Sequence, residues 1–138
     1  MRANVINLHK SVGMVLGLLL VLRLIWRLSH PAPAWPPALS AAQQRAALWG
    51  HRALYACMLL LPLAGYIASN FSKHGVRFFG LKLDPWGADD PALYAFFNGA
   101  HGLLGFALSV LVAGHVLAAL YHALVRKDGV WERMRPSA

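Results

Sequence analysis

The sequence is poor in cysteine and in acidic side chains, and each shortage restricts what the protein can do. A single cysteine, Cys57, occurs among 138 residues. This count excludes an intrachain disulfide, a cysteine-rich iron–sulfur site and a CxxCH attachment motif, and we interpret Cys57 as a small packing residue. Only five residues are Asp or Glu, against thirteen Lys or Arg, so the formal net charge is +8.

The chain has long apolar runs, and none of them shows the alternation of polar and apolar residues that marks β-strands. Hydrophobic residues make up 58% of the sequence. Three windows reach the roughly 20 apolar residues needed to cross a hydrocarbon layer of about 30 Å: Val5–Leu28, Ala46–Ser69 and Phe97–Val125. Because a helix satisfies its own backbone in lipid, we predict an all-α membrane protein, with one transmembrane helical domain of three spans over residues 1–138.

No signal-peptide cleavage site follows the first window, which ends in RLIWRLSHPAP, so we expect this window to remain in the protein as a span. A proline-rich linker covers residues 30–45, where PAPAWPP prevents helix continuation. The connection over residues 70–96 is aromatic and rich in Gly and Pro, and we expect it to form a partly folded cap over one end of the bundle.

The basic residues are distributed unequally between the two predicted membrane sides. Eight lie beside the linker and the C-terminal tail: Arg23, Arg27, Arg45, Arg52, Arg126, Lys127, Arg133 and Arg135. Five lie on the other side: Arg2, Lys10, Lys73, Arg77 and Lys82. The positive-inside rule therefore puts the linker and tail in the cytoplasm and loop 70–96 in the periplasm. A short external N-terminus is unusual for such a chain, so we expect a further helix ahead of Met1. Membrane topology thus explains the net positive charge, and we expect no nucleic-acid partner.

Three histidines occupy the third window, at positions 101, 115 and 122. Fourteen helical residues turn about 1400°, roughly 40° short of four turns, and rise about 21 Å, so His101 and His115 share one face at two depths. His122 lies two turns further, close to the membrane boundary. An unpartnered polar group in lipid costs several kcal/mol, so such residues are commonly functional. The spacing favours haem iron bound between imidazoles of facing helices, the alternative being hydrogen bonds between helices.

Depth in the membrane predicts which histidines pair. His9 begins the first window at the outer edge, level with His101 at the outer start of the third window, and we predict that these two form an axial pair. His115 lies deeper. Within this chain His51 is the histidine at a matching depth, and a histidine on an absent helix would serve equally well.

Other polar residues receive simpler interpretations. His30 precedes the linker and His74 lies in a loop, so both are expected to be solvated. Lys10 and Arg52 adjoin predicted site histidines, and we interpret them as anchors at the membrane edge, with haem propionates as the alternative partners.

Four segments together resemble the second, third and fourth helices of the bacterial cytochrome b561 family. They are LHKSVGMVLGLLLVLRLIWRLSHPAP, HRALYACMLLLPLAGY, FFGL and HGLLGFALSVLVAGHVLAALYHALVRKDGVWERMRP. The resemblance implies a four-helix, di-haem b cytochrome of the bacterial inner membrane that exchanges electrons with quinone. Some members of the family oxidise superoxide.

The resemblance also implies ligands. His9 matches the second-helix ligand, and His101 and His115 match the outer and inner fourth-helix ligands. The family partner of His115 lies in a His-Trp motif of the first helix, which has no counterpart here. His51 and His122 match histidines that are not usually axial. We therefore expect haem b at His9 and His101, and a second haem if an absent helix or another histidine completes the site of His115.

The function expected from these features is electron transfer between quinone and a periplasmic-side partner, with superoxide as one candidate partner. A first alternative is a haem-bearing anchor subunit of a larger oxidoreductase. A second is a haem-free membrane protein whose histidines relay protons or pack helices. Membrane lipid is the expected surrounding, and assembly into a homo-oligomer is left open.

Overall fold

The computed structural model describes residues 2–31 and 34–132 and contains three long helices and one β-hairpin. The elements are α1 (Arg2–Ser29), α2 (Ala41–Asn70), β1 (Val76–Phe78), β2 (Leu81–Leu83) and α3 (Pro91–Tyr121). The first two predicted apolar windows lie within α1 and α2, and the third lies within α3 and the helical turn that continues it to Arg126. Each of the three is long and apolar enough to cross a membrane. The predicted all-α membrane fold is thereby confirmed.

Two of the helices begin several residues before their apolar windows because polar residues cap them. At α2, Ser40 Oγ accepts the Gln43 N–H at 3.3 Å, and Gln43 Oε1 accepts the Ser40 N–H at 2.9 Å. At α3, Asp90 Oδ1 accepts two backbone N–H groups at 2.9 and 3.0 Å, and Pro91 occupies the first turn. Caps of this kind satisfy N–H groups that have no partner within the helix, so each helix can start in polar sequence.

Helix α2 lies between the other two helices. Both α1 and α3 pack against α2, whereas within the described residues α1 and α3 make no close backbone contact with each other. Pro62 lies inside α2, and its ring faces Gly17 of α1. A Cβ added at Gly17 would lie 3.6 Å from the Pro62 Cβ, which is ordinary van der Waals contact. A groove therefore remains between α1 and α3, with α2 as its floor.

The connection between α2 and α3, predicted as a partly folded cap, contains the antiparallel hairpin β1–β2. Its turn residues, Phe79 and Gly80, have φ angles of 45° and 96°. A two-residue turn with two positive φ values matches the right-handed twist of the strands. Glycine adopts this geometry freely, but a bulky residue such as Phe79 does so only when other contacts hold it.

Contacts between the hairpin and α1 hold that turn. Ser11 of α1 is only 1% exposed, and its Oγ accepts the Phe79 N–H at 2.9 Å. The same Oγ lies 3.1 Å from the Arg77 carbonyl oxygen and 2.8 Å from the Asn7 carbonyl oxygen. The hydroxyl has one proton, which these two acceptors share. The preceding residue of α1, Lys10, donates through Nζ to the Gly75 carbonyl oxygen at 2.8 Å. The hairpin is thus attached to the first third of α1.

At the opposite, linker end of the bundle, α3 continues as a π-helical turn over His122–Arg126. His122 Nδ1 lies 2.7 Å from Asp128 Oδ2, and Arg126 Nε lies 3.4 Å from the same oxygen. The Asp128 side chain is 5% exposed. Burial acts to raise the pKa of Asp128, but the hydrogen bond and charge of His122, with backbone N–H groups, hold it below the ordinary value.

Four residues used in the sequence interpretation lie outside the described part of the chain. They are Ala32 and Pro33 of the linker, and Arg133 and Arg135 of the basic tail.

Candidate functional site

The imidazoles of His9 and His101 meet across the groove between α1 and α3. Their ring centroids are 5.9 Å apart and their planes are inclined at 88°. A metal–imidazole bond is about 2 Å and the ring centroid lies about 1 Å beyond the nitrogen, so two imidazoles on opposite sides of one metal ion have centroids roughly 6 Å apart. The structure thus brings together the two side chains that depth had paired, at a separation suited to a shared iron.

Helix α2 contributes no imidazole to this pair but positions one of its rings. His101 Nδ1 lies 2.9 Å from the Leu61 carbonyl oxygen and donates its proton to that oxygen. This hydrogen bond selects the tautomer in which Nε2 keeps its lone pair, which is the form that binds a metal. A Cβ at Gly65 would lie 2.7 Å from Nδ1. The ring of His101 therefore occupies space that exists because residue 65 is glycine.

A cavity of about 960 Å³ adjoins the His9–His101 pair at the hairpin end. Its lining includes both histidines, Lys10, Gly13 and Gly65. The volume is at the upper end of the 300–1,000 Å³ typical of cofactor and small-molecule pockets. Space for a large ligand therefore lies directly against the paired imidazoles.

The donor set distinguishes haem from a simple metal ion. Within residues 2–31 and 34–132, no group of three or more His, Cys, Asp or Glu side chains converges. A structural zinc site needs four protein ligands, whereas haem brings four nitrogens and needs only axial ligands from the protein. Two neutral imidazoles beside a large cavity therefore fit haem and do not fit a closed zinc site.

A second imidazole pair lies nearer the linker end. The ring centroids of His51 on α2 and His115 on α3 are 5.3 Å apart, with planes inclined at 68°. Depth had allowed this pairing, whereas the family resemblance had argued against it. The structure brings the two rings within reach of one another, and both side chains are exposed.

The remaining polar residues of the sequence interpretation have other partners. His122 bonds Asp128, as described above, and His30 stacks on Trp26 with centroids 3.7 Å apart. Arg52 lies over the Trp49 ring at 4.9 Å. Lys10 is held by a backbone carbonyl of the hairpin loop while it lines the cavity, and exposed His74 lines the same cavity.

Sequence interpretation missed the two α2 groups that position His101. The Leu61 carbonyl has no signature in the sequence, because every residue has one. Gly65 has a partial signature: it follows Pro62 by three residues in an apolar segment, where glycine costs about 1 kcal/mol of helix propensity relative to alanine. Such a glycine indicates close packing, but its partner on α3 is visible only in the folded protein.

Comparison with known proteins agrees with this geometry. Residues 1–137 match the family model described as prokaryotic cytochrome b561. Cytochrome b561 homolog 2 of Escherichia coli K12 is 35% identical over 129 residues, covering 93% of this chain and 69% of the relative. Cytochrome b561 homolog 1 of the same organism is 30% identical over 128 residues, covering 93% and 73%.

A third relative carries a functional name. The probable superoxide oxidase CybB of Yersinia pestis is 28% identical over 129 residues, covering 94% of this chain and 73% of the relative. Together, the matched family model, the two Escherichia coli relatives and the three membrane-length helices place this chain in the prokaryotic cytochrome b561 family, whose members are multi-pass proteins of the bacterial inner membrane that bind b-type haem and transfer electrons.

Proposed function

We propose that this protein moves single electrons between the quinone pool and a reactant on the periplasmic side, through a haem held by His9 and His101. The observation that carries the proposal is the approach of the two ring centroids to 5.9 Å between α1 and α3, two helices that make no close backbone contact within residues 2–31 and 34–132. When bound, haem supplies a one-electron redox centre that no side chain here provides.

The residues of the site have distinct tasks. His9 and His101 would each hold the haem iron through one imidazole nitrogen, so that binding would tie together α1 and α3, which make no close backbone contact within the described residues. The Leu61 carbonyl accepts the Nδ1 proton of His101, which fixes the ring and raises the basicity of Nε2. Lipid around the helices supplies the low dielectric in which these interactions tune a redox potential.

A second haem near the linker end is part of the proposal. His115 would supply one axial nitrogen, as the family resemblance implies. The 5.3 Å approach of His51 supports this side chain as the partner within the chain, and a histidine from a further helix is the competing partner. Two centres at different depths would give electrons a path across the membrane.

Superoxide is the periplasmic reactant best supported. The Yersinia pestis relative is named as a probable superoxide oxidase, and Lys10 gives the cavity beside His9 a positive charge that attracts an anion. Oxidation of superoxide releases oxygen and one electron, and two such electrons with two protons reduce a quinone to quinol.

Absorption spectra of the purified protein test the haem assignment. We expect a Soret band whose intensity per protein falls in His9→Ala and in His101→Ala, because both variants lose the outer haem while the haem of His115 remains. Exposed His30, at the far end of α1, provides the matched control, and His30→Ala should keep the full band. No Soret band after expression with ample haem would eliminate the proposal and favour a haem-free protein.

The ratio of haem to protein tests the second site. His115→Ala should lower a ratio of two to one while leaving the outer haem bound. If His51→Ala has the same effect, His51 is the inner partner. If the unmodified protein binds two haems and His51→Ala also binds two, the inner partner of His115 is another histidine. A haem-to-protein ratio of one in the unmodified protein would contradict the second haem.

A further inference from the structure

The β1–β2 hairpin has one apolar and one basic face. Strand side chains alternate between the two faces, and the register pairs Val76 with Leu83 and Phe78 with Leu81 on one of them. The remaining pair, Arg77 with Lys82, lies on the other. The hairpin is thus amphipathic across its thickness.

Only part of the apolar face is covered by the bundle. Val76, near the base of the hairpin, is 2% exposed. Toward the turn the exposure rises to 36% for Phe78, 62% for Phe79 and 65% for Leu81. The outer half of the hairpin therefore overhangs the bundle, and the Phe79 and Leu81 side chains and part of the Phe78 ring are left exposed there.

The basic face carries two like charges opposite each other. Because Phe78 and Leu81 close a two-residue turn, Arg77 and Lys82 form the next pair, which in an antiparallel ladder is the non-hydrogen-bonded type with closer side chains. Like charges in this position destabilise a hairpin. Lys82 has an exposed partner, Asp84, at 3.4 Å, whereas within the described residues the Arg77 side chain has no ion pair. An anion bound between the two would relieve the repulsion.

The attachment to α1 fixes the depth of the hairpin. The apolar span Asn4–Ser29 has 26 residues, or about 39 Å of helix, which exceeds a hydrocarbon layer of about 30 Å. Ser11 lies seven residues, about 10 Å, from the hairpin end of this span. The surplus of about 9 Å lies at this end of the span, which contains the polar residues Asn7 and Lys10. Ser11 and the hairpin therefore sit at the boundary between headgroups and hydrocarbon, where irregular backbone must be satisfied by protein, as Ser11 satisfies Phe79.

We propose that the overhanging half of the hairpin lies in the interface of the adjacent leaflet and binds an anionic phospholipid. Phe78, Phe79 and Leu81 face the acyl chains, as the apolar Phe and Leu side chains of interfacial segments do, while Arg77 and Lys82 bind the headgroup. This assignment depends on the membrane location of the family and not on the haem. Since Ser11 is two residues from His9, the bound lipid also steadies the start of the helix that carries that ligand.

Spin labels in single-copy nanodiscs test the insertion. In a Cys57→Ala background, labels introduced at positions 79 and 81 should be reached by oxygen and protected from a water-soluble relaxation agent. A label at exposed Asp89, on the same side of the membrane, should show the reverse. Water accessibility at position 79 equal to that at position 89 would overturn the proposal. So would protection that appears only when two copies share a disc, which would assign the face to a second copy.

Lipid titration tests the headgroup class. In detergent, mobility of the label at position 81 should respond to phosphatidylglycerol at a concentration about 25-fold lower than to phosphatidylcholine, since each basic residue contributes about fivefold, or about 1 kcal/mol. The double variant Arg77→Gln/Lys82→Gln should lose this preference, whereas Lys73→Gln, the matched control on the same side, should keep it. Equal responses to the two lipids, or a preference that survives the double variant, would refute the headgroup assignment.

Discussion

Replacement of Gly65 by alanine should displace His101 and weaken haem binding. The new Cβ would lie 2.7 Å from Nδ1 and 2.9 Å from Cε1, and ordinary contact begins at 3.4 Å. The ring must therefore retreat by about 0.7 Å. When the His101 ring moves away from α2, the distance from its Nδ1 to the Leu61 carbonyl oxygen increases from 2.9 Å to about 3.6 Å. At that distance the hydrogen bond is lost. One methyl group thus removes both constraints on the ring.

The expected loss follows from these two effects. Overpacking costs about 1–3 kcal/mol, and loss of an outer-shell partner of a ligating histidine typically lowers metal affinity by 10–100-fold. Haem dissociation is measured by its transfer to an excess of a soluble haem-binding protein, with helical content followed by circular dichroism to separate loss of affinity from loss of folding.

Gly99→Ala is the matched control. A Cβ at Gly99 meets nothing within 4 Å, and two residues of helix turn about 200°, so it lies on the face of α3 away from His101. Both variants gain about 1 kcal/mol of helix propensity, so the difference between them isolates the contact. If Gly65→Ala holds haem as tightly as Gly99→Ala, the positioning role of α2 is wrong.

Three further predictions concern stability. Ser11→Ala leaves the Phe79 N–H unsatisfied and should destabilise the hairpin by about 1–3 kcal/mol, seen as faster hydrogen exchange over residues 76–83, whereas Ser29→Ala, at an exposed site, should leave that exchange unchanged. Ser40→Ala should cost about 0.5–2 kcal/mol through loss of the α2 cap, measured by thermal unfolding, and an unchanged midpoint would contradict this. The lowered pKa of Asp128 means that this carboxylate contributes its stabilisation fully above the ordinary pKa of 3.8 and loses it as the pH falls through the lowered value. Order of the segment after α3, followed by hydrogen exchange, should therefore decrease as the pH drops below 3.8, and Asp128→Asn should remove that decrease.

Helix number and histidine pairing could be predicted because both depend on local regularities. Apolar length alone identifies a membrane helix, and the 3.6-residue period places His101 and His115 on one face. Depth then pairs His9 with His101, since histidines at the same membrane level on different helices of a small bundle have few other partners. The earlier starts of α2 and α3 also had sequence signals, in Ser40 with Gln43 and in Asp90 with Pro91.

The hairpin and its attachment could not be predicted, because they depend on contacts between distant residues. Ser11 and Phe79 are 68 residues apart, and a serine near the start of an apolar segment usually bonds its own helix. The Phe79–Gly80 turn has weak sequence signals, since phenylalanine is rare at positive φ. The bond from His101 to the Leu61 carbonyl likewise arises only once α3 packs on α2.

The packing of α1 and α3 on α2 alone determines the order in which the chain can assemble. Each helix pairs with its neighbour in sequence, so α1 with α2 and then α2 with α3 can dock as they leave the ribosome, without a search between the two ends of the chain. Bonds from α1 to the hairpin can form once residues 76–83 have been made, before α3 is complete. Haem insertion, which in the proposed function joins α1 to α3, would then come as a late step that closes a bundle already built.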